Sequence, residues 1–442
     1  MAGLLAGRVL ADHFDRVTIV DRDRFPEAPV PRKGVPQAHH LHVLLMRGQL
    51  IFEQLFPGLR AELLAAGAPH LDSAADLAWL TPAGWGVRFT SGLGGYSCSR
   101  DLLEWSVHRR VAAQTRVRFL EDREVVGLLS DAGRRGVAGA RVRSPNGPDG
   151  GAGRDEEVGA DLVVDASGRG SKAPKWLAAL GYPPPQETVV NAFLGYASRI
   201  YQRPDDFRAG WKALYVQSAP PAATRGGAIF PLEGQRWMVS LGGAGRDYPP
   251  TDEPGFLDFA RSLPTPVLCD AIREARPLTP IYGYRGTENR LRHYERLPSW
   301  PERLVALGDS VCAFNPVYGQ GMSIAAAGAS ALDRHLRARR RHDGDLTGLA
   351  RRFQRGLARI NAAPWLMATG EDFRVPATVG GAPGRATRFM HRYMDRVLLV
   401  ATEDRSVRRV LLEVFHLLKP PSALFQPRVV VQVLRRGRVP VV

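Results

Sequence analysis

Lysine is almost missing from this chain. Of its 60 basic residues only Lys33, Lys172, Lys175, Lys212 and Lys419 are lysines, and the net charge of +16 is carried by arginine spread through every region. No nucleic-acid-binding motif or interleaved aromatic pattern accompanies that charge, so it reads as a diffuse basic surface, and nucleic acid is not an expected partner. The densest run, Arg337 to Arg341 followed by His342, reads as a solvated cation cluster at a helix end, where the helix dipole favours it. Cysteine is scarce as well. Cys98, Cys269 and Cys312 lie far apart with no CxxC pair, which excludes a disulfide framework and a cysteine zinc site. No stretch reaches the roughly 18 apolar residues of a membrane span, and the N-terminus lacks a basic patch followed by an apolar core and a cleavage site. A soluble, cytoplasmic protein is expected.

What is present is enough apolar sequence for large cores. At 442 residues and 44% hydrophobic content, the chain exceeds the size at which one core stops growing, and two or more subdomains are expected. There is no internal repeat. Three glycine-rich sites carry chemical information. The chain opens with MAGLLAGRVLADHFDRVTIVDRDRF: a helix-like run with Leu4, Leu5, Val9 and Leu10 on one side, then the strand-like Val17 to Val20, then Asp21. In a dinucleotide-binding βαβ unit, glycines let backbone approach a pyrophosphate and the last one lets the helix pack on its strand. An acidic residue roughly 20 positions on accepts bonds from the ribose. Asp21 stands 18 residues beyond Gly3, which fits that spacing; an ordinary helix–strand pair with a turn aspartate fits it too.

The second site is DLVVDASGRGSKAPKWL. A short buried-strand candidate ends in a turn made by Asp165, Gly168, Gly170 and Ser171, at the strand end where α/β sheets bind ligands. The third is RLVALGDSVCAFNPVYGQGMSIAAAGASAL. Here a strand ends in Gly308 and Asp309, Phe314, Asn315 and Pro316 follow, and Gly319 and Gly321 open a helix of small residues. Such a helix mouth offers free N–H groups and a partial positive charge to a phosphate or an electron-rich ring, and the Asp309 carboxylate suits a polyol chain. Between these sites, 116–129 and 136–144 read as two β-runs, 144–157 as a loop, and the sequence after residue 180 as short strands. Helices are expected at 322–341, 347–370 and 402–418.

GDSVCAFNPVYGQGMSIAA resembles the ribityl-binding GD motif of FAD-dependent monooxygenases of the para-hydroxybenzoate hydroxylase fold, and VVDASGRGS resembles their central DG-type motif. Together with RKGVPQAHHLHVL and SRDLLEW, these motifs are similar to the actinobacterial polyether-epoxidase branch. The resemblance implies a fold and a chemistry. The fold is α/β, with an FAD/NAD(P)-binding, Rossmann-like domain of the glutathione-reductase type, an inserted β-rich substrate domain and C-terminal helices. Residues 1–180 would form the first part of the FAD domain, with a small β-rich insertion at about 75–96. Residues 181–290 would be the substrate sheet, 291–345 the second FAD part, and 346–442 a helical region.

The chemistry implied is oxidation by FAD, NAD(P)H and O2, in which a flavin C4a-hydroperoxide epoxidises or hydroxylates a small lipophilic polyketide or isoprenoid. By motif, Gly3 would pack the first helix, Asp21 would hold the adenosine ribose with Arg22 alongside, and Arg100 would face the pyrophosphate or adenosine side. Asp165 with Gly168 would line the dinucleotide groove. Gly308 and Asp309 would bind the pyrophosphate and ribityl chain, and Pro316, Gly319, Gly321 and Met322 would frame the isoalloxazine. Phe314, Asn315 and Pro316 are the candidate pocket residues; no protein nucleophile or metal is required. Flavin halogenases of related fold carry a WxWxIP run that is absent here.

Alternatives are an FAD-dependent reductase of isoprenoid double bonds and a flavin-free binding homologue. In the family pattern GGGxAG, the last three positions overlay Met1, Ala2 and Gly3, so the preceding central strand is missing. Loss of a strand buried on both faces would cost on the order of the whole 5–15 kcal/mol by which domains are stable, and the expectation is a translation start upstream of Met1. His39, His40 and His42 have no nearby cysteine or carboxylate in sequence to complete a metal set, so they read as packing or pocket-lining residues. The basic, amphipathic KPPSALFQPRVVVQVLRRGR reads as a packed helix with at most weak affinity for a membrane surface.

Overall fold

Leu4, Leu5, Val9 and Leu10 recur at helical spacing and form the buried face of helix Ala2–Leu10. This is seen in a computed structural model that describes residues 1–133, 135–144, 153–340 and 345–436. The helix leads into strand Val17–Val20, which pairs in parallel with Val117–Leu120. A second parallel pair, Val163–Asp165 with Leu304–Ala306, carries the second and third glycine sites at its C-terminal ends. The two pairs are not hydrogen-bonded to one another among the described residues. Ile19, Val20, Val163 and Val164 stay half-buried although parallel strands are usually covered on both faces. Helices Arg100–Ala112, Gly321–Arg340 and Leu349–Asp372 complete this layer. Its core joins Leu5, Phe52, Val107, Val305, Leu332 and Phe353; each such side chain stabilises by about 1.5–3 kcal/mol relative to exposure.

The second layer is a seven-stranded sheet in the order Tyr282–Tyr284, Gly195–Gln202, Arg236–Gly243, Arg225–Leu232, Ala213–Val216, Leu77–Thr81, Gly84–Trp85. The insertion expected at 75–96 therefore supplies the last two strands, and Leu77–Thr81 joins in parallel register to Ala213–Val216. Helices Glu253–Arg261 and Val267–Ile272 pack Phe256, Phe259 and Leu268 against one face. Within the stretch of short strands expected after residue 180, the apolar run 188–202 breaks into Glu187–Val190 and Gly195–Gln202, because Phe193 takes φ 48° and Asn191 Oδ1 accepts from its N–H. The 116–129 run likewise divides: Val117–Leu120 joins the first layer, whereas Glu124–Ser130 forms a hairpin with Val137–Arg143. Most of the 144–157 loop, residues 145–152, lies outside the described residues, as does Arg341 of the arginine run; Asp155–Gly159 is a strand.

The C-terminal region holds helices Arg385–Val400, Arg405–Phe415 and Pro427–Arg436 around a separate core of Val397, Val407, Leu411, Val414 and Val433. It is clamped to the first layer through His416. The Met46 N–H donates to His416 Nδ1 at 3.3 Å, which places the ring proton on Nε2, 2.8 Å from Ser73 Oγ. No described helix is long and apolar enough to cross a membrane.

Candidate cofactor and substrate site

The strand Leu304–Ala306 is wholly buried and ends at Gly308, whose φ of 68° is in the left-handed region. A Cβ there would stand 2.8 Å from the Ala2 methyl, so glycine alone lets the opening helix close over this turn. Asp309 follows. Its carboxylate lies 3.8 Å from the point where Gly321 would carry a Cβ, at the mouth of the 20-residue helix Gly321–Arg340. It accepts no hydrogen bond from the described residues; burial pushes its carboxyl up, against the pull of Arg169 and Arg100. Between them, Pro316–Tyr318 makes a tight turn and Gly319 takes φ 64°. The buried Gln320 Oε1 finds no partner among the described residues.

A cavity of about 1050 Å³ opens in front of this mouth, lined by Gly168, Arg169, Asp309, Pro316, Gly319 and Met322 on the cofactor side. Gly168, at φ 83°, has nothing within 4 Å of where a Cβ would be. Asp165 is turned away. Its carboxylate accepts from the Ser167 N–H at 3.0 Å and from Ser171 Oγ at 2.5 Å, so it braces the turn that presents Gly168. Arg169, which sequence reading did not single out, clips this turn to the third glycine site: its guanidinium donates to the Glu288 carbonyl at 2.8 Å and the Phe314 carbonyl at 3.2 Å.

Asp21 ends its strand as expected, but its neighbour in space is Arg32 and not Arg22. Arg22 is exposed, whereas Arg32 donates to Asp21 at 3.2 Å, Asp23 at 2.9 Å and Glu104 at 2.9 Å. Arg100 is buried and shares Glu104 through a 3.2 Å bond, and it also reaches the Met322 sulfur at 3.0 Å. Burial alone would raise the Glu104 carboxyl; Arg100 and Arg32 instead hold it far below the usual carboxylate range. The close helix–strand approach assigned to Gly3 falls on Gly7. A Cβ at Gly7 would meet the Ile19 side chain at 2.5 Å, whereas at Gly3 the nearest atom is Ala166 Cβ at 3.7 Å.

The same cavity continues to the seven-stranded sheet, where Trp79, Tyr215 and Phe230 make an apolar wall with His40 and Ser240 set into it. Phe314 and Pro316 line the cavity, but Asn315 does not: it is 1% exposed and its amide donates to Asp372 at 3.3 Å. Asp372 ends helix Leu349–Asp372, accepts from Tyr318 at 2.6 Å and Asn289 at 2.6 Å, and is pushed up to about 7 by burial, which those hydrogen bonds only partly offset. Among the described residues, no cluster of three or more histidine, cysteine or carboxylate side chains could hold a metal. His39 stacks on Tyr282 at 4.0 Å, His40 bonds Ser198, and His42 Nδ1 lies 3.0 Å from the His40 carbonyl.

No protein-family model matches the chain. In sequence it is 34% identical over 376 residues to Protein Rv3254 of Mycobacterium tuberculosis, covering 83% of this chain and 77% of that protein. In structure it is similar to PqsL, a probable FAD-dependent monooxygenase from Pseudomonas aeruginosa (TM-score 0.62, 17% identity, 85% of this chain and 93% of that one). It is similar also to the flavin-dependent brominase Bmp2 (TM-score 0.65, 14% identity, 98% and 96%). A flavoprotein/dehydrogenase from Cytophaga hutchinsonii superposes with a TM-score of 0.65 at 13% identity, over 99% and 96%. The chain thus belongs to the family of Protein Rv3254, built on the α/β fold that FAD-dependent monooxygenases share with flavin-dependent halogenases.

Proposed function

We propose that this protein is an FAD-dependent monooxygenase that uses NAD(P)H and O2 to epoxidise or hydroxylate a lipophilic natural product of polyketide or isoprenoid type. The observation that carries the reading is the single cavity that joins the Asp309–Gly321 mouth to an apolar sheet wall. Bound there, FAD would supply hydride acceptance from NAD(P)H and activation of O2.

The residues fit the cofactor. Among the described residues Asp309 receives no hydrogen bond and the buried Gln320 Oε1 has no partner, and Gly168 faces open space with nothing within 4 Å of where a Cβ would be. Asp309 would accept bonds from the polyol chain, the N–H groups at Gly321 would face negative charge, and Arg100, held by Glu104, would stand beside Met322 at the ring end. Arg32 fixes Asp21 for the ribose. On the other side, Trp79, Tyr215 and Phe230 would hold an apolar substrate and exclude water, which protects a reactive oxygen donor from decay. No side chain need act as a nucleophile. The absent WxWxIP run supports oxygen insertion over halogenation.

The test combines the purified protein with FAD, NAD(P)H and a lipophilic polyene. Oxygen uptake matched to a product heavier by one oxygen atom is expected. Consumption of NAD(P)H with no oxygen uptake and a product gaining two hydrogens would establish the reductase alternative instead.

A further inference from the structure

His40 sits in the cavity wall with its ring beside the stacked rings of Tyr196 and Tyr284, at centroid distances of 5.7 and 5.6 Å. Its Nδ1 lies 2.8 Å from Ser198 Oγ, Ser198 Oγ lies 2.6 Å from Ser240 Oγ, and Ser240 Oγ accepts from the Leu41 N–H at 3.3 Å. Ser198 is fully buried, so its hydroxyl proton must find an acceptor within this chain. With the Leu41 N–H as the fixed donor, the arrangement that keeps both hydroxyl protons inside this chain has Ser240 donating to Ser198 and Ser198 donating to His40 Nδ1, which leaves the imidazole proton on Nε2; the reverse order would instead turn the Ser240 proton into the cavity. Nε2 has no partner among the described residues, and His40 lines the cavity. Burial, with His39 adding to it, pushes the His40 imidazole down to about 4, so it stays neutral at physiological pH.

We propose that His40 is the polar recognition group of the substrate wall, a neutral imidazole whose Nε2–H reads an oxygen acceptor (ketone, ester or ether) on an otherwise apolar substrate. This rests on reading the cavity as a substrate chamber. Ser198 and Ser240 are positioning residues that act through His40 by fixing its tautomer. The substrate class is thereby narrowed: a pure hydrocarbon would leave a buried donor without an acceptor, whereas an oxygenated chain satisfies it.

The probes are methyl oleate and the unoxygenated alkene of matching length, with binding followed by tryptophan fluorescence, since Trp79 lines the cavity. The ester is expected to bind about threefold to tenfold more tightly than the alkene, the range one net hydrogen bond gives. His40→Leu should abolish that preference and leave alkene binding unchanged, and Ser198→Ala should reduce it. Equal binding of the two probes by the parent protein, or equal weakening of both by His40→Leu, would overturn the proposal. Should either variant fail to fold, nitrogen NMR of the parent imidazole decides: an Nε2-protonated neutral tautomer is expected, and an Nδ1-protonated one refutes the assignment. Neither readout requires a flavin. Ester preference in a protein that takes up no FAD would therefore sink the monooxygenase reading and leave His40 standing.

Discussion

Tyr318 donates a 2.6 Å hydrogen bond to Asp372 Oδ1, tying the glycine turn at the helix mouth to the end of a helix 54 residues away in sequence. Asp372 is 2% exposed, and its oxygens also accept from Asn315 and Asn289. One buried carboxyl therefore sets the geometry of the turn that borders both halves of the cavity.

Asp372 should leave a signature in stability against pH. Its folded-state value is raised to about 7 from 3.8 by burial, so the folded protein holds a proton that the unfolded chain releases. Its contribution is most favourable below the unfolded value and is lost as pH rises toward about 7. Denaturant titrations of parent and Asp372→Asn across that window should give a difference curve that falls with pH. A flat difference would show that the carboxyl ionises normally.

The buried histidines oppose this trend. His40, His42 and His416 are each pushed down to about 4 by burial, so unfolding takes up protons below the ordinary histidine value of 6.5. Stability is expected to fall as pH drops from 6.5 toward 4. Because His416 bonds Ser73 and the Met46 N–H, the C-terminal helices should release first, which hydrogen exchange across Arg385–Val400 would register.

Glu104 is the shared counter-charge of Arg32 and Arg100. Glu104→Gln leaves two largely buried guanidinium groups without it and should cost about 3–5 kcal/mol in chemical denaturation. Arg22→Ala, at an exposed position, should stay within about 0.5 kcal/mol of the parent.

Two glycines separate folding from cofactor binding. Gly308→Ala forces a side chain onto φ 68° and to 2.8 Å from the Ala2 methyl, a strain of about 1–3 kcal/mol that thermal melting should report. At Gly321 the nearest atom to a Cβ is Asp309 Oδ1, at an ordinary 3.8 Å. Gly321→Ala should therefore fold as the parent does while losing about 1–3 kcal/mol of FAD affinity, because its methyl occupies the mouth.

The turns at the helix mouth are legible in sequence, because close backbone approach restricts residue type. Gly308 and Gly319 adopt the left-handed backbone that their motif implies, and Asp309 and Pro316 reach the cavity. Asp21 was legible by spacing, but its partner was not. Arg32 approaches through a loop whose path no periodicity encodes, so the adjacent Arg22 was the natural guess. Gly3 holds the motif position for close packing, yet the helix touches its strand one turn later, at Gly7. Asp372, Arg169 and the pairing of His40 with Ser198 lie 54, 145 and 158 residues from partners that define them, and only tertiary packing brings such groups together. The helix Arg385–Val400 falls within the region 346–442 expected to be helical, without bounds of its own.

The most direct test titrates FAD into the purified full chain and follows quenching of flavin fluorescence, with Asp309→Ala alongside. Saturable binding is expected, weakened about tenfold or more in the variant through loss of a charged hydrogen-bond acceptor. A folded chain that takes up no FAD, or that binds it equally with and without the Asp309 carboxylate, would contradict the assignment of this helix mouth as the flavin site.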